Sequence, residues 1–147
     1  MKKIILILAV LYFSVSTYSQ SPVKWIFSSR SIGDNVYELR YTAKIEAPWH
    51  IYSQSTPDGG PLPTKITLSK NPLLTVEGKA KEIGKLHTKH EEVFEVDVKF
   101  FNEQVDFIQV VKIKSKVKTV AKGVVEFMLC NEEQCLPPTE VAFSINL

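Results

Sequence analysis

Apolar and polar residues alternate with a period of two along most of this chain. Between Val36 and Ile45, the residues Tyr37, Leu39, Tyr41, Ala43 and Ile45 are separated by Glu38, Arg40, Thr42 and Lys44. Successive side chains of a strand point to opposite faces, so this pattern predicts a strand with one buried face. Phe94, Val96, Val98 and Phe100 alternate in the same way with Glu95, Asp97 and Lys99. Val105, Phe107, Val111 and Ile113 do so less regularly, and Val141, Phe143, Ile145 and Leu147 close the chain on a fourth clear strand. Shorter strands are expected at Val23–Phe27, Lys65–Leu68, Leu74–Glu77 and Val124–Leu129. No stretch carries a 3.6-residue apolar stripe. Seven or eight short strands of this kind predict an all-β fold, an immunoglobulin-like antiparallel β-sandwich.

The first residues follow a different rule. Lys2 and Lys3 precede an unbroken apolar run from Ile4 to Phe13, and Ser14, Ser16, Thr17 and Ser19 then bring small polar side chains. Basic, apolar and small-residue regions in that order spell a secretory signal peptide. We place it at residues 1–19, with Gln20 as the new N-terminus and one domain over 20–147. A membrane anchor is the alternative, but spanning a bilayer takes about 20 apolar residues, and the Ile4–Phe13 run is half that. The expected location is the periplasm, with no membrane insertion of the mature chain.

Removing Lys2 and Lys3 changes the electrostatic picture. Of 18 basic residues 16 remain, against 16 acidic ones, so the mature chain is neutral and no nucleic acid is expected as a partner. Lys112, Lys114, Lys116 and Lys118 stand at alternate positions. An anion-binding stripe is one reading; a solvated strand face whose lysines discourage edge pairing is the favoured one. Turn formers mark Ser31–Asn35 and the stretch Thr-Pro-Asp-Gly-Gly-Pro-Leu-Pro from Thr56 to Pro63. Three prolines stiffen this second loop, which is either a partner-binding element or a plain connection.

Chemistry concentrates at the two cysteines. Cys130 ends an apolar run, Asn131-Glu132-Glu133-Gln134 forms a polar tip, and Cys135 precedes Leu136-Pro137-Pro138. This reads as a tight connection between adjacent strands with one cysteine on each shoulder. In an oxidising compartment such a pair tends to bond. Closing so short a loop stabilises by only about 2 kcal/mol in the chain-entropy model, so stapling alone is a weak reason for the pair. Exposed disulfides are the exchangeable ones. No helix start is available to acidify a thiol, and nearby carboxylates oppose a thiolate. The pair therefore suits selective exchange with an activated partner better than broad catalysis. His50, His87 and His90 invite a metal reading, but the cysteine spacing is not that of a zinc site and oxidation removes both sulfurs as ligands. No metal and no cofactor are expected.

The segment Phe127-Met128-Leu129-Cys130, the run Cys135-Leu136-Pro137-Pro138, the tetrad Trp49-His50-Ile51-Tyr52 and the Thr56–Pro63 loop together resemble the N-terminal periplasmic domain of the thiol:disulfide interchange protein DsbD, a family also called disulfide-bond correctors. The resemblance is clearest from Trp49 to Phe143. It implies an immunoglobulin-like fold with the cysteines on paired strands. It implies a domain that takes electrons from a thioredoxin-like periplasmic protein and passes them to oxidised substrate proteins. The second cysteine makes the mixed disulfides in that family, which assigns this role to Cys135 and resolution to Cys130. A cap loop with acids and an aromatic corresponds to Glu91, Glu92, Val93 and Phe94, and site-adjacent aromatics to Trp49 and Tyr52 with His50. The sequence ends at Leu147 without a transmembrane conduit or a thioredoxin-like domain, so the expected reductant is a separate protein.

A redox relay is thus the leading expectation. The alternative is a non-catalytic immunoglobulin-like binding module with a purely structural disulfide, since a fold hosts many functions. The export signal makes a direct prediction. Intact-mass measurement on protein recovered from the periplasm should give a chain starting at Gln20; a chain retaining Met1 would refute export by cleavage.

Overall fold

The computed structural model describes residues 21–92, 94–114 and 116–147. The expected signal peptide at 1–19, its cleavage product's Gln20 and the expected cap residue Val93 lie outside the described residues. The described chain is all β: β1 (Val23–Gly33), β2 (Val36–Ile45), β3 (His50–Tyr52), β4 (Lys65–Leu68), β5 (Leu74–Gly84), β6 (His87–Glu91), β7 (Val96–Phe101), β8 (Gln104–Ile113), β9 (Val120–Phe127), β10 (Leu129–Cys130) and β11 (Thr139–Asn146). They form three antiparallel sheets, ordered β1-β2-β8-β5, β10-β3-β7-β6 and β11-β9-β4. This is the immunoglobulin-like sandwich that the alternation predicts.

The main core lies between the first sheet and the third. Leu39, Tyr41, Ala43 and Ile45 of β2 and Val105, Phe107 and Val111 of β8 face Ala121, Val125 and Phe127 of β9 and Phe143 and Ile145 of β11. Aromatic contacts stitch the layers. Tyr41 meets Phe143 edge-on at 4.9 Å between ring centroids, Trp25 meets Phe127 at 5.4 Å, and Phe27 meets Phe143 at 5.3 Å. Such pairs add about 0.5–1.5 kcal/mol each beyond the area they bury.

The sheet β10-β3-β7-β6 closes one end of the sandwich and has two apolar faces. Ile51 of β3, Phe101 of β7 and Leu129 of β10 enter the main core. Their chain neighbours Tyr52, Phe100 and Cys130 point the other way, into a small second cluster with Val96, Val98 and Met128. The Thr56–Pro63 loop is fastened beside it. Thr56 Oγ1 donates to the Lys99 carbonyl at 2.8 Å, and Thr64 Oγ1 to the Tyr52 carbonyl at 2.6 Å. Gly60 lies so close that an added β-carbon would stand 3.1 Å from Val96 Cγ2.

Several expectations need correction. β1 and β5 extend well beyond the predicted Val23–Phe27 and Leu74–Glu77. β3 and β6 were not expected: the first has three residues, and His-Thr-Lys-His-Glu carries no apolar alternation. Phe94 falls in the β6–β7 turn rather than on the strand, which starts at Val96. Lys112–Ala121 is not one strand. Lys112 is the last residue but one of β8, which pairs with β2 and β5 on its two sides, while Lys114, Lys116 and Lys118 lie on the connection to β9. The lysines are solvated as expected, but they guard no edge.

Gly123 shows how tightly the third sheet is packed. A β-carbon there would fall on the Thr67 carbonyl oxygen and 2.6 Å from Phe143 Cζ. Gly123→Ala should cost about 1–3 kcal/mol, the usual range for overpacking. Gly33→Ala, which meets only Val36 at 3.9 Å, should change little. Urea denaturation of the two variants checks the contrast.

Candidate functional site

The cysteines sit on a hairpin whose tip is held by its own first residue. The Asn131 side-chain oxygen accepts the backbone N–H groups of Glu133 and Gln134, both at 2.8 Å. The Asn131 N–H donates to the Gln134 carbonyl at 2.9 Å, and the Leu136 N–H to the Leu129 carbonyl at 2.8 Å. Between these bonds Cys130 and Cys135 face each other as a single antiparallel bridge, with α-carbons 4.0 Å apart and a disulfide joining them. Asparagine suits this place because its side chain replaces backbone partners at a turn.

The two sulfurs have unequal surroundings. Cys130 is 1% exposed and packs with Tyr52 and Val98. Cys135 is exposed, on the outer arm of the hairpin. Leu136, the next residue, turns back and packs against the main core. The disulfide thus runs from a covered end to an open one.

Strand pleating determines what surrounds the covered end. Cys130 pairs with His50 across β10 and β3, Tyr52 with Phe100 across β3 and β7, and Phe100 with His87 across β7 and β6. His50 Nε2 lies 3.2 Å from the Tyr52 hydroxyl. The His50 ring is 4.6 Å from that of Phe100, and His87 stacks on Phe100 at 5.3 Å. Lys89 and Glu91 follow His87 along the same face of β6, and Lys89 Nζ reaches Glu132 in the hairpin tip at 3.1 Å and Glu91 at 3.5 Å. The hydrogen bond to Glu132 raises the Lys89 ammonium above its ordinary value. Burial lowers His50, Glu132 and Glu91 pull it back up, and Lys89 lowers it further. Burial, aided by Glu91 and Glu132, pushes the Tyr52 phenol up to about 12.

The residues expected at the site do not all meet there. His50 and Tyr52 stand beside Cys130. Glu91 belongs to the charged fringe. Trp49 is half-buried against the main core, one pleat away from the cluster. Glu92 is exposed, and Phe94 is 45% exposed in the β6–β7 turn, a member of neither apolar cluster. The next residue, Glu95, takes a left-handed backbone with φ 55°. Sequence reasoning overlooked Lys89, Phe100 and Glu82. The Glu82 carboxylate accepts the Ser53 hydroxyl and the Gln54 N–H, both at 2.7 Å, and so anchors the chain just after Tyr52. Phe100 was visible in the alternation. Glu82 and Lys89 had no local signal, because their partners are 28 and 43 residues distant. The grouping of three or more histidine, cysteine or acidic side chains that a metal ion needs is not found among the described residues.

An immunoglobulin-like sandwich with a half-exposed disulfide on an end hairpin is the class of protein that fold and site define. Residues 19–147 match the family described as thiol:disulfide interchange protein DsbD, N-terminal, and the chain belongs to that family. A thiol–disulfide interchange role is consistent with its cysteine pair. Among solved structures it is similar to the DsbD N-terminal domain of Neisseria meningitidis in the reduced form, at 17% identity and a TM-score of 0.53 over 84% of this chain and 85% of that one. It is also similar to the N-terminal periplasmic domain of ScsB from Proteus mirabilis (18% identity, TM-score 0.48), covering 85% of this chain and 44% of that one. A third likeness is to the complex between the DsbD N-terminal and PilB N-terminal domains of Neisseria meningitidis (15% identity, TM-score 0.49, 82% and 80% covered). The first of these likenesses supports the fold. No curated protein matches. Among the described residues, no helix is long and apolar enough to cross a membrane.

The lowered His50 has a consequence for stability. The unfolded chain takes up this proton near 6.5, the folded one only at lower pH. The stabilisation is therefore complete above 6.5 and lost as pH falls through the folded value, with a slope of at most about 1.4 kcal/mol per pH unit. His50→Gln should flatten this part of the profile. Nuclear magnetic resonance titration of the imidazole should place the His50 midpoint below 6.5.

Proposed function

We propose that this chain is an exported thiol–disulfide relay domain, cleaved after residue 19 and folded over 20–147 in the periplasm. In this reading the Cys130–Cys135 pair accepts two electrons from a thioredoxin-like periplasmic donor and passes them to oxidised substrate proteins. Cys135 forms the mixed disulfides and Cys130 resolves them. Glu91, Glu92, Val93 and Phe94 form the shielding turn, and His50 and Tyr52, with Trp49 behind them, line the approach.

The observation that carries the reading is the contrast between the two cysteines. Exchange is an in-line attack by a thiolate on one sulfur, with the other sulfur leaving. Cys135 is the exposed end of the bond and Cys130 the covered one. An incoming thiolate meets Cys135, and Cys130 leaves into a cluster that keeps it beside its partner. A purely structural staple has no need of an open end, and a bridge closing five residues of sequence separation stabilises by only about 2 kcal/mol.

Trapping separates the two readings. Cys130→Ala should accumulate a mixed disulfide through Cys135 with a thioredoxin-like periplasmic protein, seen as a reducible adduct and identified by mass spectrometry. Cys135→Ala should trap little. Both variants should remain folded, since about 2 kcal/mol is a minor part of a typical total of about 5–15 kcal/mol. Unfolding of both without any adduct would establish the staple instead. Equal trapping by both would keep the relay and remove the assignment of Cys135 as the attacked sulfur.

A further inference from the structure

This inference rests on the relay reading and concerns its resolving step. Cys130 must attack the mixed disulfide on Cys135 as a thiolate, because the thiol is a poor nucleophile. Yet Cys130 is 1% exposed, packed with Tyr52 and Val98 and flanked by Val96, Phe100 and Met128. Apolar surroundings disfavour a thiolate. A proton acceptor beside the sulfur therefore has a large effect on the rate.

His50 is the titratable side chain set directly opposite. It is the cross-strand partner of Cys130 in the β10–β3 ladder. Directly opposed residues share a face, with β-carbons about 4.5–5.5 Å apart. The ring is held on two sides. Nε2 is 3.2 Å from the Tyr52 hydroxyl, and Phe100 of β7 lies 4.6 Å away, centroid to centroid. Tyr52 in turn packs against Cys130. In the tautomer whose Nε2 donates to the phenol oxygen, Nδ1 is the acceptor nitrogen. The other ionisable groups facing this corner are Lys89 and Glu91 of β6 and Glu132 of the hairpin tip, with His87 of β6 stacked on Phe100.

We propose that His50 is the base that takes the proton from Cys130 when Cys130 closes the disulfide. The imidazole nitrogen accepts the thiol proton, and the electron pair left on the Cys130 sulfur attacks the Cys135 sulfur. The Cys130–Cys135 bond forms as the bond from Cys135 to the partner's sulfur breaks. The partner leaves as a thiolate carrying the electron pair, and the imidazolium returns its proton to solvent. The domain's dithiol is oxidised by two electrons and the partner's sulfur is reduced. Burial holds His50 neutral at neutral pH, and Lys89 favours the same state against Glu132 and Glu91, so the base form is the resident one.

A symmetrical nitroaryl disulfide with a coloured leaving thiolate tests this on the reduced protein. Cys135 releases the first equivalent by forming the mixed disulfide, and Cys130 releases the second by resolving it. His50→Gln should leave the first phase unchanged and slow the second by about 100-fold at neutral pH, within the usual range for general-base catalysis. Alkaline solution should restore it, because Cys130 then ionises unaided. In the wild-type protein the second phase should be level above pH 6.5 and should fall as His50 is protonated at lower pH. A second phase equally fast in His50→Gln at neutral pH overturns the proposal. So does a wild-type second phase that rises in proportion to hydroxide throughout, and that profile decides the matter even where the variant loses its fold. A first phase lost in Cys130→Ala instead of Cys135→Ala overturns the relay assignment itself, and this inference with it.

Discussion

The structure at this end of the molecule depends on a single geometric constraint, the period-two pleat of a short sheet that is apolar on both faces. Leu129, Ile51 and Phe101 are committed to the main core. Neighbours along a strand point to opposite faces, so Cys130, Tyr52, Phe100 and His50 share the other side. A one-residue slip in β3 or β10 would exchange the two sets, withdrawing Ile51 or Leu129 from the core. The energy that holds the site in register is therefore the burial of three side chains that take no part in its chemistry.

The charged groups then act on an arrangement that packing has already made. Lys89 spans Glu132 and Glu91, tying the hairpin tip to β6 across the apolar patch. At the surface such pairs contribute little to stability. Their electrostatic effect on His50 and Tyr52 is secondary to burial, which comes first among the causes of both shifts. The acids at the tip and fringe keep the region wet around the exposed sulfur, while the covered sulfur remains in apolar contact. Both environments are found within one hairpin because its two arms differ: Cys130 lies against β3, and Cys135 faces outward.

Much of the fold was legible because alternation is the footprint of a half-buried strand. β2, β4, β8 and β11 fall where the pattern puts them, and the cysteine hairpin was readable from a polar tetrapeptide between two shoulders. The pattern failed where burial stopped being one-sided. β3 is only three residues long and β7 is apolar on adjacent residues, Phe100 and Phe101, because each contributes to two clusters. β6 was silent because its partly buried positions are His87 and Glu91, which no hydropathy rule marks as covered. Trp49 parts from His50 and Tyr52 by the same pleat. The tetrad reads as one motif in sequence, but the pleat sends Trp49 towards the core. The lysine run of β8 and its following loop misled because spacing at every second residue persists past the end of the strand.

The backbone bond from the Leu136 N–H to the Leu129 carbonyl lies on one side of the disulfide and the Asn131 turn on the other, and neither uses the sulfurs. Breaking the sulfur bond therefore leaves the two cysteines side by side. Two groups held this way react as if each were present at an enormous local concentration, with effective molarities of about 10⁵–10⁸ M reached in well-oriented cases. In the proposed relay, a partner joined to Cys135 competes against a neighbour that never diffuses away. Its covalent residence is short by construction, and the domain hands electrons on rather than storing its partners as adducts.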